Sequence, residues 1–161
     1  MNDIDLNNLH YAIAVARQSR EHGNHPFGAI LVGEDNKVFL VEENTVVTGH
    51  DATGHAETNL VRQASLIYSP DELAKCTLYT STEPCAMCAG AIYWSRIGRV
   101  VYALSEVDLY GIVGPSPEHL ILPSREVFAH SGRHVEVVGP VPELDKEARE
   151  VHEGFWTDKG Y

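Results

Sequence analysis

Several features that would assign the chain to a large protein class are missing. Its 161 residues include only three cysteines, and its apolar runs are far shorter than the ~20 residues that cross a bilayer. The acidic N-terminus, MNDIDLNNLH, has no apolar segment of the kind found in a secretion signal. Three cysteines are too few for a disulfide framework. The sequence therefore predicts a cytoplasmic protein with reduced thiols and no membrane segment.

Basic residues are also scarce. The chain has 12 lysine and arginine residues against 23 acidic residues, a formal net charge of −11. The basic residues are scattered and form no run. A nucleic-acid surface needs clustered positive charge to displace counterions from phosphates. We therefore expect a small, neutral ligand and no nucleic-acid partner.

Hydrophobic patterning predicts an α/β fold in one domain, with no linker and no repeats. Apolar residues recur at helical spacing over 4–21. The other predicted helices are 55–67, 83–95 and 143–157, with a short one in 124–132; the predicted strands are 29–32, 38–47, 75–81, 99–104 and 134–139. Residues 109–123 are dense in glycine and proline, which predicts a loop. Because helices and strands alternate after the first hairpin, we expect a mixed sheet of about five strands with helices on both faces.

The segment TEPCAMC, residues 82–88, places two of the three cysteines at the predicted start of a helix. Cys85 and Cys88 are three residues apart, so both sulfurs would lie on one helical face. The positive end of a helix lowers thiol pKa values, which suits a thioredoxin-like redox pair. The same environment also favours thiolate metal ligands. The cysteine spacing alone leaves both interpretations open.

A second motif, His55-Ala56-Glu57, favours the metal. One histidine and two cysteines make three zinc ligands, whereas a structural site takes four, and Cys76 lies within a predicted strand. Three ligands leave one tetrahedral position for water, which is the catalytic arrangement. Glu57 would then exchange protons with that water. A redox protein and a zinc-stabilised binding module stay open as alternatives.

The two motifs together match the signature of zinc-dependent deaminases. With GAIYW at 90–94 and PFGAILV at 26–32, they make the chain resemble the cytidine-deaminase-like superfamily. The similarity is strongest to the branch of guanine deaminases, fungal cytosine deaminases and tRNA adenosine deaminases. It implies a three-layer α/β/α sandwich and hydrolytic loss of ammonia from an amino-bearing nucleobase or nucleoside.

The resemblance also implies roles for particular residues. One zinc ion (Zn2+) per chain would be held by His55, Cys85 and Cys88, with Glu57 as the catalytic proton shuttle. Three further residues would contact the base: Phe27 by stacking, Asn44 by a hydrogen bond and Ala56 through its backbone N–H. Trp94 follows the ligand helix closely enough to line the pocket.

Guanine is the leading substrate candidate, with cytosine, another amino-heterocycle and adenosine in tRNA as alternatives. Phe27, GAIYW and a tail ending at Tyr161 are similar to guanine deaminases. In those homodimers the last helix and tail pack over a neighbouring active site, so residues 140–161 of the single deaminase domain 1–161 would pack on a partner subunit. Guanine deaminases also carry a further carboxylate after the fourth strand, where Glu106 and Asp108 are the nearby candidates.

The remaining histidines receive no catalytic role. We interpret them as surface or core residues: His10, His22, His25, His119, His130, His134 and His152. His50 precedes the metal motif, and pocket lining and solvent exposure stay open for it. Cys76 is expected to be buried, as free cysteines usually are.

Overall fold

The computed structural model describes residues 1–156. Its helices are α1 (Asp3–Glu21), α2 (Ala56–Ile67), α3 (Pro70–Leu73), α4 (Ala86–Ser95), α5 (Glu106–Val113), α6 (Ser124–Ala129) and α7 (Asp145–Glu150), and Pro142–Leu144 is a 3-10 turn. Its strands are β1 (Gly28–Val32), β2 (Val38–Glu43), β3 (Thr77–Thr82), β4 (Arg99–Leu104) and β5 (Glu136–Val138). None of the helices within 1–156 is long and apolar enough to cross a membrane.

The five strands form one mixed sheet in the order β2-β1-β3-β4-β5. Strand β1 is antiparallel to both of its neighbours, whereas β3, β4 and β5 are parallel. Successive residues point to opposite faces of a strand, so Ile30 and Val101 join the core against α1, while Leu31 and Val100 join the core against α2 and α4. The predicted three-layer α/β/α sandwich is confirmed.

The sheet topology brings two helix starts to one edge. Strands β3 and β4 run in parallel register, with Thr82 opposite Leu104 at their carboxyl ends. Helix α4 begins just beyond β3, and helix α2 packs against α4 and β1. Crevices at the carboxyl ends of parallel strands are common ligand sites in α/β folds.

The predicted boundaries of α1 and β4 lie within one residue of the observed ones, whereas several other segments differ. Strand β2 ends at Glu43, not residue 47, because the Asn44 side chain accepts a hydrogen bond from the Val46 N–H and turns the chain. The predicted loop at 109–123 begins inside α5, which Ser105 caps by accepting the Asp108 N–H at 3.1 Å. Glycine and proline density hid this helix from the sequence pattern.

The predicted helix at 143–157 is also shorter than expected. It consists of the 3-10 turn followed by α7, which ends at Glu150, and turns continue to Trp156. Those turns pack near the end of α1, where Arg20 donates to the Val151 and Glu153 carbonyls and Phe155 is buried. The position of Tyr161, expected near an active site, lies outside the described residues.

Candidate active site

The three predicted metal ligands lie together where two helices begin. His55 is the N-cap residue of α2, Cys85 is the N-cap residue of α4, and Cys88 lies in the first turn of α4. The His55 Nδ1 atom is 3.5 Å from Cys85 Sγ and 3.4 Å from Cys88 Sγ. All three ligand atoms lie within 4.8 Å of one another, and no other such group occurs within residues 1–156. One imidazole nitrogen and two sulfurs are donors that suit zinc.

The two cysteines differ in their tendency to ionise. The pKa of Cys85 is lowered to about 4, chiefly because the Cys88 thiol donates a hydrogen bond to its sulfur. The same contact, together with burial, raises the pKa of Cys88 well above its ordinary value. The pair therefore holds a thiolate at neutral pH, which is the form that binds metals.

Glu57 lies two residues after His55, in the first turn of α2, and does not belong to the metal-binding group. Its side chain is 5% exposed, and the Thr80 hydroxyl donates to its Oε1 at 2.6 Å. Burial raises the pKa of Glu57, and the Thr80 hydrogen bond opposes that rise. A carboxyl group fixed in this way can accept and release a proton beside the metal-binding atoms.

A cavity of about 460 Å³ opens above Glu57, His55 and Cys85. Phe27 and Asn44 both line it, where the sequence predicted base-contacting residues. The cavity is mostly apolar, with a few polar groups that converge on it, as in small-molecule sites generally. Its position beside Glu57 makes it the candidate substrate pocket.

Three other residues were considered for the pocket from the sequence, and the structure places them differently. Trp94 does not line the pocket: it is 81% exposed and packs edge-on against Tyr93, because the buried face of α4 carries Cys88 and Ile92. His50 is exposed in a turn at positive φ and does not line the pocket either. Ala56 is fully buried against the core at the start of α2, and its backbone contact with the base stays a prediction.

Two histidines that the sequence assigned to surface or core line the pocket instead. His119 stacks on Tyr110 with the ring centres 3.9 Å apart, and His25 meets Trp156 edge-on at 5.5 Å. Both histidines come from irregular segments, where no hydrophobic period indicates which way a side chain points. The aromatic residue Trp156, which the sequence analysis did not single out, also lines the pocket.

His152 was interpreted as a surface or core residue, and its 1% exposure places it in the core. From there its side chain supports the pocket wall from behind. Its ring meets Phe27 edge-on at 5.4 Å, and its Nδ1 accepts the Trp156 indole N–H at 3.1 Å. Burial lowers the pKa of His152 to about 4. The neutral imidazole therefore ties two pocket-lining aromatic residues, Phe27 and Trp156, to the turns that follow α7.

Three further carboxylates line the pocket: Glu83, Glu106 and Glu118. Burial raises the pKa of Glu106 to about 7, and the Tyr110 hydroxyl donates to its Oε1 at 2.9 Å. Asp108, the other nearby candidate, faces away and pairs with Arg149 at 3.3 Å. Glu118 also follows β4 but is farther along the chain, beyond α5, so the sequence did not indicate its place in the pocket.

The fold and the site together define a class of enzyme. Residues 3–104 match the family model of the cytidine and deoxycytidylate deaminase zinc-binding region. That range includes His55, Glu57, Cys85 and Cys88. The chain belongs to this deaminase family and is a hydrolytic deaminase.

Relatives within the family are named for different substrates. The chain is 43% identical over 158 residues to the Schizosaccharomyces pombe protein named "Probable cytosine deaminase", a match that covers 97% of this chain and 94% of that protein. It is 45% identical over 83 residues to guanine deaminase of Bacillus subtilis, which covers 52% of this chain and 53% of that protein. A solved structure from work on tRNA:A34 deaminases matches with a TM-score of 0.69 at 27% identity, covering 91% of this chain and 99% of that one.

Proposed function

We propose that this chain is a zinc-dependent deaminase of a free nucleobase, with cytosine as the first substrate candidate and guanine as the second. The observation that carries this proposal is the buried Glu57 carboxyl beside the His55, Cys85 and Cys88 cluster, at the base of a pocket with aromatic walls. Water would replace the exocyclic amino group, and ammonia would leave.

His55, Cys85 and Cys88 would hold one zinc ion per chain. When bound, that ion would supply an activated water at neutral pH for attack on the amino-bearing ring carbon. Glu57 would take the proton that this water releases and give it to the departing amine. Thr80 holds the Glu57 carboxyl in place for both transfers. Phe27 would stack on the base, and Asn44 would hydrogen-bond its edge.

The extent of similarity favours cytosine over guanine. The match to the cytosine deaminase relative covers 97% of the chain. The match to guanine deaminase spans only 83 residues. The pocket-lining residues extend from His25 to Trp156, so that match does not cover the whole pocket. One observation keeps guanine as the second candidate: Glu106 and Glu118 both follow the fourth strand and line the pocket, and guanine deaminases carry a further carboxylate after that strand.

Adenosine in tRNA is the least supported substrate. The net charge of −11 opposes binding to a polyanion. Helix α7 carries three acidic residues against one lysine and one arginine, so this segment adds no basic surface.

Ammonia release from a panel of bases, nucleosides and tRNA tests the proposal. Zinc-loaded protein should release ammonia from cytosine, with guanine as the competing substrate, and Glu57→Gln protein should not. Arg17→Gln, a substitution on the exposed surface of α1, is the control variant. It is prepared in the same way as Glu57→Gln and is compared with it at equal zinc content. Zinc-loaded protein that releases no ammonia from any free base would refute the proposal.

A cytoplasmic homodimer is part of the same proposal. Exposed apolar side chains on α2 and α4, Leu66 at 78% and Trp94 at 81%, are consistent with a partner surface. Light scattering at micromolar concentration should give twice the mass of one chain. Trp94→Ser should shift that mass toward the monomer, and a monomeric wild type would contradict the assembly.

A further inference from the structure

Two buried polar atoms in the pocket wall have no hydrogen-bond partner among residues 1–156. They are Thr82 Oγ1 and Glu106 Oε2, and both residues line the cavity. Thr82 is 3% exposed and Glu106 is 2% exposed. Buried polar groups in native proteins are almost always hydrogen-bonded, so two orphans in one pocket indicate a ligand that completes them.

The two residues are neighbours at the same edge of the sheet. Thr82 ends β3 and stands opposite Leu104 at the end of β4. Glu106 follows Leu104 by two residues and opens α5. Parallel strand pairing therefore places both side chains at the carboxyl edge, where α4 also begins.

The Glu106 carboxyl is held in a fixed orientation. The Tyr110 hydroxyl donates to its Oε1 at 2.9 Å, and the Glu106 backbone N–H donates to Glu83 Oε1 at 3.0 Å. Glu83 is itself anchored, because the Ser124 N–H and hydroxyl donate to its Oε2 at 2.9 and 2.7 Å. Oε1 is thus engaged and Oε2 keeps its hydrogen-bonding capacity, which is how preorganised recognition groups are built.

Neither residue has a part in the proposed proton transfer or in metal binding. Glu57 performs the first, and His55, Cys85 and Cys88 the second. An aminopyrimidine or aminopurine presents ring and exocyclic N–H donors beside nitrogen or oxygen acceptors along its edge. A carboxyl oxygen and a hydroxyl that line the same pocket can match such an edge, because carboxylates accept and hydroxyls both donate and accept.

We propose that Glu106 and Thr82 are substrate-binding residues: Glu106 Oε2 accepts an N–H of the bound base, and the Thr82 hydroxyl bonds the neighbouring polar atom of the same edge. This assignment rests on the proposed function and deepens it, because it names the residues that select the base. A polar site rejects analogues that leave its buried groups unpaired, so the pair sets substrate preference.

The test compares Glu106→Gln and Thr82→Val with the wild type. Glu106→Gln keeps the shape and an oxygen for Tyr110 but replaces the second acceptor by a donor. We expect kcat/KM for the preferred base to fall about ten- to a hundredfold, mainly through KM. Thr82→Val removes only a hydroxyl and should lower kcat/KM about two- to tenfold. Both variants should change the ratio of kcat/KM between cytosine and guanine.

Two measurements separate binding from structural damage. Zinc content and melting temperature should match the wild type, and Asp108→Asn, the same charge change two residues away and outside the pocket, should leave kcat/KM within twofold. In a Glu57→Gln background, which binds without turnover, adding Glu106→Gln should raise the Kd for the base about ten- to a hundredfold.

Several results would overturn the assignment. It fails if the wild type is active and both variants stay within twofold in kcat/KM and Kd, or if Asp108→Asn loses as much activity as Glu106→Gln. It also fails if Thr82→Val only raises the melting temperature, since the hydroxyl would then be an unsatisfied group with no ligand. If the wild type deaminates none of the bases, the proposed function fails together with the assignment.

Discussion

Mild acid should destabilise the folded chain through His152. Its imidazole is 1% exposed, and its Nδ1 accepts the Trp156 indole N–H, which places the proton of the neutral ring on Nε2. A second proton on Nδ1 would break that hydrogen bond and leave a charge in an apolar site. Burial, helped by the nearby positive charge of Arg20, therefore lowers the pKa of His152 from 6.5 to about 4.

The size of the effect follows from proton linkage. Between pH 6.5 and about 4 the unfolded chain binds a proton at His152 that the folded chain does not, so the free energy of unfolding falls as the pH is lowered. The full shift corresponds to about 3 kcal/mol, and about 2 kcal/mol of it is lost by pH 5. Above about pH 7.5 both states hold a neutral ring and the free energy of unfolding no longer depends on this group.

Urea unfolding of the wild type and His152→Gln at pH 7.5 and 5.0 measures this contribution. Glutamine keeps an acceptor for Trp156 but does not titrate. The wild type should lose about 2 kcal/mol more than the variant between the two pH values. Protonation of the metal ligands affects both proteins alike and cancels in the difference. Equal losses in the two proteins would refute the reasoning about His152.

Three other substitutions probe the catalytic centre. Glu57→Gln should keep its zinc by metal analysis yet lower kcat by about 10²–10⁴-fold; kcat near the wild-type value would contradict the proton-shuttle role. Cys85→Ala should lose zinc and melt at lower temperature, because metal binding stabilises the fold that presents the ligands; normal zinc occupancy would speak against ligation. Thr80→Val, which removes the hydroxyl bonded to Glu57, should retain zinc and lower kcat about tenfold or more, and unchanged kinetics would show that the Glu57 carboxyl needs no such anchor.

Local sequence patterns predicted the cluster at the centre of the site. Cys85 and Cys88 are one turn apart at the start of α4, so the helix itself fixes their separation. His55 and Glu57 stand at the start of α2 in the same way. The structure brings the two helix starts together, as the paired motifs predicted. Boundaries of α1 and β4 were predictable for a similar reason, because each has a regular hydrophobic pattern.

Patterns of this kind could not identify the rest of the pocket wall. Trp94 was placed there because it follows the ligand helix in sequence, but its position on α4 turns it outward to 81% exposure. His25 and His119 were set aside, yet both line the pocket. They come from segments without a helical or strand period, and the path of such segments depends on contacts with distant parts of the chain.

The sequence by itself determined the fold class, through the order of its helices and strands, and the two deaminase motifs with His55, Glu57, Cys85 and Cys88, through the spacing of residues at the start of α2 and of α4. Only the tertiary structure decided which distant side chains complete the pocket. It placed Thr82 and Glu106 at one sheet edge through the parallel pairing of β3 with β4, and it brought Trp156 back against His25. The physical reason is that helix and strand geometry is local, whereas a pocket wall forms only when distant segments pack together.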